Sequence, residues 1–149
     1  MKMKIFDTDF ETSLRIVILL SVTEGRSCSM DQIVAYDFMA SYGDVFDMAK
    51  QAVNGENVFC FSEIAARRER VKNAIKILAQ QGMIEVIGDE TGFSYRISAQ
   101  GKSVCKALDV VYAKDYGEAA RKVTEKYEGY REEELLKLIG KASVEALRR

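Results

Sequence analysis

A chain of 149 residues, 48% of them apolar and with a net charge of −1, fits one domain that can bury a core without disulfide or metal staples. It contains no histidine, which removes the commonest general base, the usual catalytic metal ligand and every Ser–His or Cys–His pair. Its cysteines, Cys28, Cys60 and Cys105, are odd in number and widely spaced, so neither a zinc knuckle nor a disulfide framework is indicated.

In chain order, Met1 to Asp7 is a short lead-in, and Thr8-Asp9-Phe10-Glu11 reads as a capping box that opens a helix. Phe10, Leu14, Val17 and Ile18 follow at helical spacing. With Ile16, Leu19 and Leu20 they make this helix apolar on almost every side, so it is expected to be central and buried, ending at Gly25. A second box, Ser29-Met30-Asp31-Gln32, opens a helix through Ile33, Val34, Phe38 and Met39 towards Gly43. Val45 to Ala49 reads as a short helix and Val58 to Phe61 as a short extended piece. Ser62 is a good N-cap for a third helix, which runs to Gln81 and stops at Gly82.

Met83 to Ile87 and Phe93 to Ile97 then form a hairpin about the turn Asp89-Glu90-Thr91-Gly92. Ser98-Ala99-Gln100-Gly101 opens a helix to about Tyr112, and two more are expected around Tyr116–Glu128 and Glu132–Leu147. Three helices followed by a two-stranded hairpin is the winged-helix order. The expected fold is mainly α with a small β-hairpin (α+β): a winged helix-turn-helix core over 8–101, its wing at about 83–97, and a helical extension over 102–149.

In a winged helix the third helix usually enters the major groove while the wing touches the backbone. Here Ile64, Val71, Ile75 and Leu78 form the core stripe of that helix. Arg68, Lys72 and Lys76 recur every fourth residue beside it, and Arg67 and Arg70 lie on its other flank. These five, with Arg96 in the wing, are the candidate nucleic-acid contacts; an ordinary solvated helix face explains the pattern equally well. Asp89 and Glu90 at the wing tip would repel phosphates. Tyr36, Tyr112, Tyr116, Tyr127 and Tyr130, together with Asp37, are the candidate partner contacts, since interfaces favour tyrosine. Half-buried structural tyrosines are the commoner case.

No GxGxxG, Walker or GxSxG motif is present, and Asp37, Asp44 and Asp47 lack the spacing of a calcium loop. No catalytic residue, metal, cofactor or small-molecule substrate is therefore expected. The longest apolar run, Ile16 to Leu20, is too short to span a bilayer. Free thiols without a signal peptide lead to the expectation of a cytoplasmic protein.

The stretch Met30 to Asp44 (MDQIVAYDFMASYGD) resembles the aspartate-tyrosine-aspartate helix and small-Gly-Asp segment of the middle component of ABC-three-component systems. Arg67-Arg68 with Val71, Ala74, Ile77, Leu78, Gly82, Met83 and Ile84 is similar to that family's third helix and strand, and Gly92 to Ser98 to its wing. Tyr112, Ala119, Ala120, Val123 and Tyr127, with Glu133-Glu134-Leu135, resemble its tail, so the likeness extends from about Phe10 to Ile139. The proline-free stretch Val45 to Gly55 departs from the proline- and glycine-rich loop of that family. The resemblance implies a small winged-helix subunit without activity of its own in a Lamassu-like antiphage or anti-plasmid defence complex. Such a subunit would bridge an SMC- or Rad50-like ATPase and an effector, often a nuclease, and hold the effector inactive until foreign DNA is sensed. Double-stranded DNA would be met through the complex. The competing readings are a free-standing dimeric winged-helix transcriptional regulator and an enzyme using carboxylates alone.

Overall fold

The computed structural model describes residues 9–23, 26–41, 56–108 and 111–139; of these, the side chains of 56–63 and 111–112 lie outside the description. The described elements are α1 (Asp9–Val22), β1 (Cys28–Ser29), α2 (Met30–Ser41), α3 (Glu56–Gln80), β2 (Ile84–Asp89), β3 (Gly92–Ile97), α4 (Ala99–Ala107), α5 (Val111–Lys126) and α6 (132–139). The described residues are thus mainly helical, with one small antiparallel sheet among them. The expected lead-in at Met1–Asp7, the cap at Thr8, the stop at Gly25, the helix at Val45–Ala49 and the end of the last helix fall outside the described residues.

Helix α1 is central because it is apolar all round: Ile16, Leu19 and Leu20 are fully buried, and α2, α3, α4 and α5 all pack against it. Phe10, expected on its buried stripe, is instead 75% exposed in the first turn. The capping box that opens α2 forms as read. Ser29 Oγ accepts from the Gln32 N–H at 3.2 Å, and Gln32 Oε1 accepts from the Ser29 N–H at 2.9 Å.

Two expectations need correction. Val58–Phe61 is helical, not extended, and α3 begins at Glu56 rather than being capped at Ser62. The extended propensity of a Val-Phe-Cys-Phe run is worth little beside continuation of a long helix, since β propensity reflects packing context more than an intrinsic backbone preference. The sheet also has three strands, in the order β1-β3-β2, where a two-stranded hairpin was expected. The extra strand is the segment just before α2, with Cys28 opposite Tyr95 and Ser29 opposite Ser94.

The exit of α3 is a paired carbonyl cap. Gly82, at φ 75°, donates its N–H to Ala79 O at 3.1 Å, and the Met83 N–H donates to Leu78 O at 2.9 Å. Ser98 fastens this turn to the far end of the hairpin. Its N–H reaches Met83 O at 3.0 Å, its Oγ donates to Gly82 O at 2.6 Å, and the same oxygen caps α4 by accepting from the Gly101 N–H at 3.0 Å. Gly101 has to be glycine, because a Cβ there would lie 2.2 Å from Met83 O and 2.8 Å from Ile97 Cγ1.

Helix α4 ends at Ala107, earlier than expected, and α5 starts at Val111. Helix α5 packs on α1 and α2, and Ala113, Tyr116, Ala120, Leu135 and Ile139 join the same buried cluster as α1–α3. Polar ties run from α2 to the turn after α5. Tyr36 Oη donates to Tyr127 O at 3.1 Å, Gln32 Nε2 to Tyr130 O at 3.0 Å, and Ser29 Oγ to Glu132 Oε2 at 3.2 Å. Among the described residues no helix is long and apolar enough to cross a membrane.

Candidate functional site

Asp37 sits mid-way along α2 with 0% exposure, and four helices converge on its carboxylate. From α1, Arg15 donates through Nε to Oδ1 at 3.0 Å and through Nη2 to Oδ2 at 3.3 Å. From α3, Arg67 Nη1 donates to Oδ2 at 2.5 Å and reaches Ser41 Oγ at 3.4 Å. From α5, Tyr116 Oη donates to Oδ1 at 2.5 Å. Glu11, one turn before Arg15 on α1, completes the group with Oε2 3.9 Å from Arg15 Nη1. Among the described residues two carboxylates face two guanidiniums, and a buried charge is tolerated in a core where it is paired in this way.

Burial alone would push the Asp37 carboxyl up. The Arg67 and Arg15 guanidiniums, with the hydrogen bonds from Arg15 and Tyr116, outweigh that and hold it below the ordinary value of 3.8. The Tyr116 phenol is driven the other way, well above its ordinary 10.0, by burial and by the neighbouring Asp37 charge. A carboxylate that stays ionised, accepts at both oxygens and is sealed from solvent is poorly placed to take a proton from a substrate. What it does is fix α1, α2, α3 and α5 to one another.

This arrangement sorts the expected nucleic-acid contacts. Arg67 is 4% exposed and belongs to the interior, so its assignment to a DNA-facing flank is corrected. It falls in register with Ile64, Val71, Ala74 and Leu78, one stripe of the helix, and its guanidinium also lies 5.9 Å from the centre of the Phe38 ring. The next residue, Arg68, is turned about 100° away. It is exposed, as are Lys72 and Lys76, and these three form a face one turn apart. Arg68 pairs with Asp31 of α2. Arg70 is half-buried, and Arg96 crosses the hairpin to Glu85 at 2.7 Å.

The expected partner contacts divide too. Asp37, Tyr36 and Tyr116 are buried, Asp37 and Tyr116 bonded to each other across α2 and α5 and Tyr36 bonded to Tyr127 O in the turn after α5. Tyr127 and Tyr130 remain at the surface beyond α5, edge to face with centroids 5.3 Å apart, and Lys126 Nζ is 5.5 Å from the Tyr127 ring. The side chain of Tyr112 lies outside the described residues. Burial pushes the Cys28 thiol up to about 11 against the pull of Arg26, and raises Cys105 as well, which disfavours the thiolate form of both. Among the described residues no cluster of side chains could hold a metal ion.

Residues 5–149 match the sequence model of one family, described as ABC-three component (ABC-3C) system Middle Component 2. The chain belongs to that family. No curated protein and no solved structure matches it at a significant level. As a middle component it is one part of a multi-component system, and the Asp37 cluster is the internal frame of that part. Sequence reasoning missed the frame, although one signal was available: Arg67 occupies a heptad position within an otherwise apolar stripe.

Proposed function

We propose that this middle component is a non-catalytic adaptor of a Lamassu-like defence complex, bridging an SMC- or Rad50-like ATPase and an effector such as a nuclease. Its core is a winged helix: α1, α2 and α3 are the three helices, β2 and β3 the wing, and β1 the strand that completes the sheet. The observation that carries the reading is the way the chain uses its charged groups. The buried carboxylate Asp37 is sealed inside as a tie between four helices, while the outward features are surfaces: a basic helix face, an exposed wing and a tyrosine pair. Such a chain acts through what it holds in place. Rigid presentation of a surface is what a bridging subunit requires.

The test is to co-express the tagged chain with its genomic neighbours and identify what co-purifies. A large ATPase with a long coiled coil, recovered together with an effector, is the expected result. A lone dimer that shifts its own promoter DNA at physiological salt would make the chain a transcriptional regulator instead. DNA contact within the assembled complex is a second reading, favoured by the exposure of Arg68, Lys72 and Lys76 along one face of α3.

A further inference from the structure

The wing carries a face that nothing in the described chain covers. Cross-strand partners point to the same side of a sheet, so Ile84 with Ile97, Val86 with Tyr95 and Gly88 with Phe93 form one continuous face. At its root Ile84 and Ile97 are buried against the helices. Further out Val86 is 49% exposed, and at the end Phe93 is 66% exposed. The Phe93 ring lies over Gly88, where an added Cβ would come within 3.2 Å of its Cε1. The apolar pattern of a core-facing strand thus runs on past the core that it would serve.

Charge decides what this face can receive. Residues 84–97 hold three carboxylates, Glu85, Asp89 and Glu90, against one guanidinium, Arg96, which is already paired with Glu85. Asp89 and Glu90 stand exposed at the tip beside Phe93, and Asp89 Oδ1 accepts from the Thr91 N–H at 2.8 Å and from Thr91 Oγ1 at 2.7 Å, which fixes the turn. Phosphates are repelled there. A second copy docked through the same face would add three more carboxylates and only a guanidinium already paired with Glu85, so it offers these acids no free cation of the wing. An apolar patch on another protein, bordered by lysine or arginine, satisfies both the ring and the carboxylates.

We propose that the wing is a protein-docking element: Val86 and Phe93 insert into an apolar patch with a basic rim on another component of the same three-component system, and Glu90 and Asp89 pair with that rim. This rests on the adaptor reading given above. The test is binding of the purified full chain to each of the other two components of its system, at several salt concentrations, with thermal melts alongside. Phe93→Ser combined with Val86→Thr is expected to weaken binding to one component by about tenfold or more while leaving the melting temperature nearly in place, since Phe93 is mostly and Val86 half in solvent. Glu90→Lys is expected to weaken it less and to flatten its salt dependence. Equal affinity of wild type and wing variants for both components would overturn this inference alone, as would tighter binding by Glu90→Lys. Wild-type chain that binds neither component would overturn the adaptor reading and this inference with it. Loss of self-association or of DNA binding in the Phe93→Ser, Val86→Thr variant, with protein binding unchanged, would also overturn it.

Discussion

Arg67 and Arg68 are neighbours on one helix and have opposite fates. Arg67 turns inward, meets Asp37 and becomes part of the frame between α1, α2, α3 and α5; Arg68 turns outward with Lys72 and Lys76 and meets Asp31 at a half-exposed pair. Inside, where water cannot solvate a charge left behind, the loss of one partner strands the others. Outside, solvent and salt screen each charge, and such pairs contribute between nothing and about 1 kcal/mol. Identical chemistry therefore holds the fold together on one side of α3 and leaves a solvated cationic face on the other.

The strongest way to break this comparison is Asp37→Ala, which leaves Arg15 and Arg67 facing each other with no carboxylate between them. It is expected to cost about 3–5 kcal/mol in urea unfolding. Adding Arg67→Met should recover part of that loss by removing one stranded charge, a coupling that a double-mutant cycle would measure directly. If the double variant is instead as unstable as the sum of its parts, the two residues do not act as a unit.

Acid should find the same weak point. The Asp37 carboxyl is held below 3.8, so its contribution to stability is complete above that value and fades as pH falls through its lower folded value. Wild-type stability is expected to drop steeply below pH 3.8, and the Asp37→Asn variant to show a shallower slope there. Parallel slopes would remove Asp37 from the account of acid unfolding.

Smaller effects follow. Tyr116→Phe deletes one hydrogen bond to a charged acceptor and should cost about 1.5–3 kcal/mol, read from the same urea curves. At the junction of wing and helices, Gly101→Ala drives a methyl into Met83 O and the Ile97 side chain and should cost about 1–3 kcal/mol. Reversing Arg68, Lys72 and Lys76 to glutamate should change stability least, within about 0.5 kcal/mol per site. DNA binding by the assembled complex is the sensitive readout for that variant. Weaker binding with a smaller salt dependence would support contact through this face, and unchanged binding would rule it out.

Much of the local architecture was legible before the fold was known. The Ser29–Gln32 capping box, the stop at Gly82, the hairpin turn before Gly92 and the cap at Ser98 each depend on residues within a few positions of one another, and each appears where the spacing places it. The buried stripe of Val71, Ile75 and Leu78 followed in the same way from helical periodicity. Strand β1 was not legible, because two residues carry no pattern of their own and become a strand only where the edge of β3 is free to bond them. The interior frame was read as surface for a related reason. Arginine, aspartate and tyrosine are usually exposed or half-exposed residues, and only their convergence from four helices makes burial tolerable.

The sequence by itself determined the presence of the six described helices, the starts of α2, α4 and α6, the stop of α3, the hairpin, and membership of the middle-component family. These are short-range properties, fixed by capping, turn chemistry and apolar period, or by the order of motifs along the chain. Only the tertiary structure decided which charges face inward, which of two adjacent arginines belongs to the frame, and that the apolar face of the wing outruns the core beneath it. A charge is stabilised or stranded by groups that lie far from it in sequence, so its role is settled only when those groups meet.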